Sequence, residues 1–87
     1  MIRVFIPASL RNLCSGTHDI EVSAKTVREA IKVLDTQFPG IAQRLTDGDR
    51  LRPEIVAVVD SEVREGGLLE PLHNGCELHF VSAVSGG

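Results

Sequence analysis

The chain has no tryptophan and no tyrosine, and only three phenylalanines, one methionine and two cysteines in 87 residues. Its core must therefore be aliphatic, with Phe38 and Phe80 as the large fillers, and a chain this short buries a modest one. Two cysteines allow one disulfide at most. Cys14 falls in an expected loop and Cys76 at an expected buried strand start; with no secretion signal ahead of them, both thiols are expected to stay reduced in a cytoplasmic protein. No apolar run approaches the ~20 residues of a membrane helix. Basic residues do not dominate either: 9 stand against 12 acidic ones, for a net charge of −3. That argues against nucleic acid, which needs a clustered basic face, and suits a basic protein partner. Apart from Cys14, the soft metal-ligand candidates are His18, His73, Cys76 and His79. They lack the C-x-x-C or H-x-x-x-H spacing of structural zinc sites, and Cys76 and His79, three apart on one strand, would point to opposite faces. No metal site is expected. The G-x-x-x-x-G-K-[ST] and G-x-S-x-G motifs are absent too.

What is present reads as five strands, one long helix and one short one. Ile2, Val4 and Ile6 alternate with Arg3, Phe5 and Pro7, which predicts a strand with the even set inward and Phe5 outward. Ala8 to Thr17, with its Ser, Asn, Gly and Thr, reads as a wide-tipped hairpin loop. His18 to Ser23 alternates again, with Ile20 and Val22 inward. Val27 to Phe38 is the one long helix. Thr26 and Glu29 make a capping box, and Val27, Ala30, Ile31, Leu34 and Phe38 form one apolar stripe. Pro39-Gly40 stops it, and Gly40 to Leu45 gives a short second helix. Asp47 to Arg50 reads as a surface loop and Pro53 as a strand start. The run I-V-A-V-V over 55–59 predicts a strand buried on most of both faces, or one that contributes to an interface. A turn at Asp60-Ser61, an edge strand Glu62 to Arg64, an irregular apolar stretch around Leu68, Leu69 and Leu72, and an Asn74-Gly75 turn lead to a last strand, Cys76 to Val81.

The first and last strands carry the best alternation and are expected side by side, central and parallel, with the helix as the crossover that parallel strands require. The expectation is an α+β domain of β-grasp type over residues 1–81, a mixed sheet of four to five strands packed on one main helix. Residues 82–87 are expected to form a flexible tail.

That tail, S-A-V-S-G-G, ends on Gly86-Gly87. A glycine pair at a given place arises by chance in about 0.5% of chains. Glycine has no Cβ, so Gly86 and Gly87 can thread where any side chain would collide, while Val84 and Ser85 supply reach. Gly87 carries a carboxylate that is ionised at neutral pH and a poor electrophile until activated. Alternation also places Phe5 of the first strand with His79 and Val81 of the last on the face away from the helix. Those three residues form a candidate partner interface.

The order of these elements, together with Leu78-His79-Phe80-Val81 and Gly86-Gly87, resembles ubiquitin-like proteins. The sequence is most similar to the MoaD/ThiS family of sulfur carriers. Phe38-Pro39-Gly40-Ile41, Arg44-Leu45, Leu51-Arg52-Pro53, Gly67-Leu68, Pro71-Leu72, Asn74-Gly75 and Ala83-Val84-Ser85-Gly86-Gly87 carry the likeness. Ser82 replaces a frequent proline, and Asp60-Ser61 a frequent Asn-Gly turn. The resemblance implies a protein cosubstrate with no catalytic side chains and no bound cofactor. Gly87 would be adenylated by a ubiquitin-activating-type adenylyltransferase/sulfurtransferase using ATP, then converted to a thiocarboxylate. The sulfur would pass to a biosynthetic enzyme: the large subunit of molybdopterin synthase, of which this chain would be the small subunit, or a pyridoxal-phosphate (PLP)-dependent cysteine synthase. The alternative is a ubiquitin-like modifier joined through Gly87 to lysines of target proteins.

Overall fold

In the computed structural model, described for residues 1–82, the chain starts with an antiparallel hairpin. Strand β1 (Ile2–Phe5) pairs with β2 (Asp19–Val22), Val4 opposite Ile20. The connection is not an open loop: Ala8–Cys14 forms a 3-10 helix that turns Leu10 and Cys14 inward. Both are buried.

Helix α1 (Val27–Gln37) begins with the Thr26 half of the expected capping box, while the Glu29 side chain reaches one residue further back, to Lys25. The Glu29 amide donates to the Thr26 hydroxyl at 3.2 Å, and the Glu29 carboxylate accepts from the Lys25 amide at 2.8 Å. Val27, Ala30, Ile31 and Leu34 are buried along its inner stripe. Gly40, at φ 102°, reverses the chain into helix α2 (Ile41–Leu45), a conformation that glycine adopts without a Cβ penalty. One carboxylate oxygen of Asp35 accepts the Gly40 and Ala42 amides at 3.0 and 3.1 Å and so ties α2 to α1. The stretch read as a surface loop is a small hairpin, β3 (Thr46–Asp47) with β4 (Arg50–Leu51).

Strand β5 (Ile55–Val59) turns at Asp60-Ser61 into the edge strand β6 (Glu62–Arg64). After a 3-10 turn (Gly67–Leu69), residues 70–72 strap across the start of α1. There the Val27 amide donates to the Glu70 carbonyl and the Leu72 amide to the Lys25 carbonyl. Strand β7 (Glu77–Ser82) closes the sheet in the order β2-β1-β7-β5-β6. β7 runs parallel to β1, with His79 beside Phe5, and antiparallel to β5, with Phe80 beside Ala57. This is a β-grasp fold: a five-stranded mixed sheet with α1 on one face.

The core lies between sheet and helix. Ile2, Val4, Ile6, Val22, Ala57, Val59, Leu78 and Phe80 face Val27, Ala30, Ile31, Leu34, Ile41 and Leu45. Cys14 and Cys76 are both free and buried. Strand β5 is not buried on both faces: Ala57 and Val59 point into the core, whereas Val56 and Val58 stay half-exposed on the other side.

Candidate functional site

Period-two alternation along β7 sends Leu78 and Phe80 into the core and leaves His79 and Val81 on the helix-free face. The parallel register sets Phe5 directly beside His79. Their rings stack, with centroids 4.2 Å apart and planes 3° from parallel. Residues opposite one another in a ladder share a face, so Val58 (opposite His79), Val56 (opposite Val81) and Val63 (opposite Val58) extend the same surface. Val81 is 41% exposed and Val63 is 63% exposed. The face is thus an apolar band across β1, β7, β5 and β6 with one aromatic stack at its centre. Phe5, His79 and Val81 are brought together; Val56 and Val58 belong to the 55–59 run whose second reading was an interface strand, and Val63, on β6, was missed.

At the end of β7 lies a groove of about 950 Å³. Phe5, His79 and Val81 form part of its wall, and Arg11, Arg44 and Arg52 also line it, with Glu54 as its one acidic side chain. Arg11 donates through Nε to the Ile6 carbonyl at 3.2 Å. Arg52 donates through Nε and a terminal nitrogen to the Gln43 carbonyl, at 3.0 and 2.6 Å. These arginines come from the 3-10 helix, from α2 and from the β4–β5 link. Nothing in the sequence joins positions 11, 44 and 52 before the sheet closes. The expected tail residues Val84, Ser85, Gly86 and Gly87 lie outside the described residues.

Elsewhere the titratable groups do structural work. His73 pairs with Asp60 at 2.9 Å, whose other oxygen accepts the Glu77 amide at 2.9 Å, and the terminal amine of Met1 donates to Asn74. Burial pushes both thiols upward, that of Cys76 helped by the nearby Asp60 carboxylate. Among the described residues, no three of His, Cys, Asp and Glu gather as a metal-holding group. Nor is any described helix long and apolar enough to cross a membrane. What the arrangement offers is an apolar face and a groove at the end of β7.

The fold and this face define a ubiquitin-like β-grasp protein. Residues 4–87 match the model of the ThiS family, and the chain belongs to that family. It is 32% identical to the sulfur carrier protein CysO of Mycobacterium tuberculosis over 91 residues, which span 99% of this chain and 98% of the relative. Among solved structures it resembles the Amycolatopsis orientalis BexX/CysO complex, at a TM-score of 0.91 and 31% identity, with both chains fully covered. It also resembles SAMP1 from Haloferax volcanii, at a TM-score of 0.72 and 26% identity over 99% of this chain and 98% of that one.

Proposed function

We propose that this protein is a sulfur carrier whose working group is the carboxylate of Gly87 and whose sulfur enters cysteine biosynthesis. One observation carries the reading: the likeness to a sulfur carrier protein spans 99% of the chain, and the family match runs through residue 87. In this scheme the Gly87 carboxylate attacks the α-phosphorus of ATP on a ubiquitin-activating-type enzyme and releases pyrophosphate. A sulfur nucleophile then attacks the acyl carbon, AMP leaves, and a thiocarboxylate remains. A PLP-dependent cysteine synthase consumes it. ATP and pyridoxal phosphate belong to the partners, and the carrier contributes a carboxyl group on a narrow tether. Tethering keeps the sulfur at high effective concentration once the carrier has docked. The Phe5–His79 stack and Val81 provide the docking face.

The test is the intact mass of protein purified from its native host. The reading expects a species in which one oxygen is replaced by sulfur, lost on deletion of Gly87 with the unfolding transition unchanged. Incubating the sulfur-bearing form with a PLP-dependent cysteine synthase or with a molybdopterin-synthase large subunit then identifies the acceptor by which one discharges it. An isopeptide-linked ladder dependent on Gly87, with no thiocarboxylate, would replace this reading with that of a protein modifier.

A further inference from the structure

The groove beside the end of β7 has a charge opposite to that of the molecule. The chain carries −3 overall, yet three arginines and a single glutamate line this surface. Arginines elsewhere on the sheet are neutralised by the chain itself: Arg3 by Asp19 and Glu21, Arg64 by Glu62 and Glu70. Among the described residues, Arg11, Arg44 and Arg52 enter no ion pair. Two of them are nonetheless held in place, Arg11 against the Ile6 carbonyl and Arg52 against the Gln43 carbonyl. Each keeps nitrogen donors unspent by these bonds. A guanidinium fork matches a carboxylate, and one already held loses less freedom when it pairs. Beside these cations the surface is apolar and aromatic, through Phe5, His79 and Val81.

We propose that this groove receives an acidic protein surface, an apolar side chain flanked by carboxylates, on the partner that takes up the tail. The apolar side chain seats against the Phe5–His79 stack and Val81, and the carboxylates meet Arg11, Arg44 and Arg52. The proposal rests on the carrier reading for the partner's role and adds the partner's chemistry. It also reverses, at this site, the basic partner that the net charge suggests.

The experiment is an amide and arginine-Nε NMR titration of the full chain with a synthetic pentapeptide, one leucine flanked on each side by two glutamates, and separately with inorganic pyrophosphate. The peptide should shift the signals of Phe5, Arg11, Arg44, Arg52 and His79. R44E, at a side chain with no hydrogen bond among the described residues, should weaken binding about tenfold and keep the dispersed native spectrum, while R28E on the exposed face of α1 should change it less than about twofold. Largest shifts at Lys25, Arg28 and Lys32, or no shift at all, overturn the proposal. Shifts with pyrophosphate alone also overturn it, in favour of a phosphate site. The carrier reading is decided separately by the mass of the terminus.

Discussion

Phe5 and Phe80 lie on opposite faces of the same sheet, so one chemical change made at each separates docking from folding. Phe80 is 3% exposed and sits in the core. Truncating a buried phenylalanine to alanine costs about 3–5 kcal/mol. Unfolding entropy near 2.1 cal/mol/K per residue gives a chain of this length about 0.2 kcal/mol per degree, so F80A should lower Tm by about 15–25 °C. Phe5 is only half-buried, and its main contact is the His79 ring at 4.2 Å. An aromatic pair adds about 0.5–1.5 kcal/mol, and partial burial brings the expected cost of F5A to about 1–2 kcal/mol, or roughly 5–10 °C. The order reverses in function. With the adenylating enzyme, F5A should raise the Michaelis constant for the carrier about tenfold, as a central aromatic contact does. F80A, assayed well below its Tm, should leave that constant near the wild-type value. Calorimetry and steady-state pyrophosphate release read the two quantities. Equal losses of stability would make the Phe5 face a part of the core, and an unchanged Michaelis constant for F5A would remove the docking face.

Three further outcomes follow from local geometry. T26A removes the hydroxyl that accepts the Glu29 amide and should cost about 0.5–2 kcal/mol in urea unfolding. Ser61 sits at φ 71° after Asp60 at φ 50°, so S61G should relieve a left-handed strain and gain about 0.5–1 kcal/mol by the same measurement. Burial pushes the thiols of Cys14 and Cys76 above their ordinary value of 9.0, so at alkaline pH the folded chain holds protons that the unfolded chain has lost. The urea midpoint should therefore stay level up to about pH 8.5 and fall as pH rises further, and C14A should flatten part of that fall.

What could be read ahead of the structure was whatever is encoded locally or by strict alternation. Helix α1 was legible to within a residue because cap, stripe and stop signal agree inside the fifteen positions from Thr26 to Gly40. The parallel pairing of β1 with β7 followed from the crossover requirement, and the Phe5–His79–Val81 face from period two. The 3-10 helix at Ala8–Cys14 was hidden by its Ser and Asn. Its apolar spacing did not mark it, since Leu10 and Cys14 turn inward only once a core exists for both to enter. The β3–β4 hairpin is too short for alternation to register. The run 55–59 carried two readings, a strand buried on most of both faces or one at an interface, because apolar content alone does not distinguish a covered face from an open one. The arginine groove had no linear signature, since its three side chains come from separate elements and meet only through the tertiary fold.

The parallel pairing of β1 with β7 also governs how a new copy matures. The middle strand of the sheet is the last of its five in sequence order, so the hairpin, both helices and β5 are synthesised before it and keep their apolar sides uncovered until it arrives. Pairings between such distant parts of a chain form slowly, and the waiting intermediate is prone to stick to others. A copy broken off before β7 loses the keystone of its sheet and the groove wall of His79 and Val81 in one event. A copy cut before β7 is therefore expected to unfold and not to persist as a folded decoy.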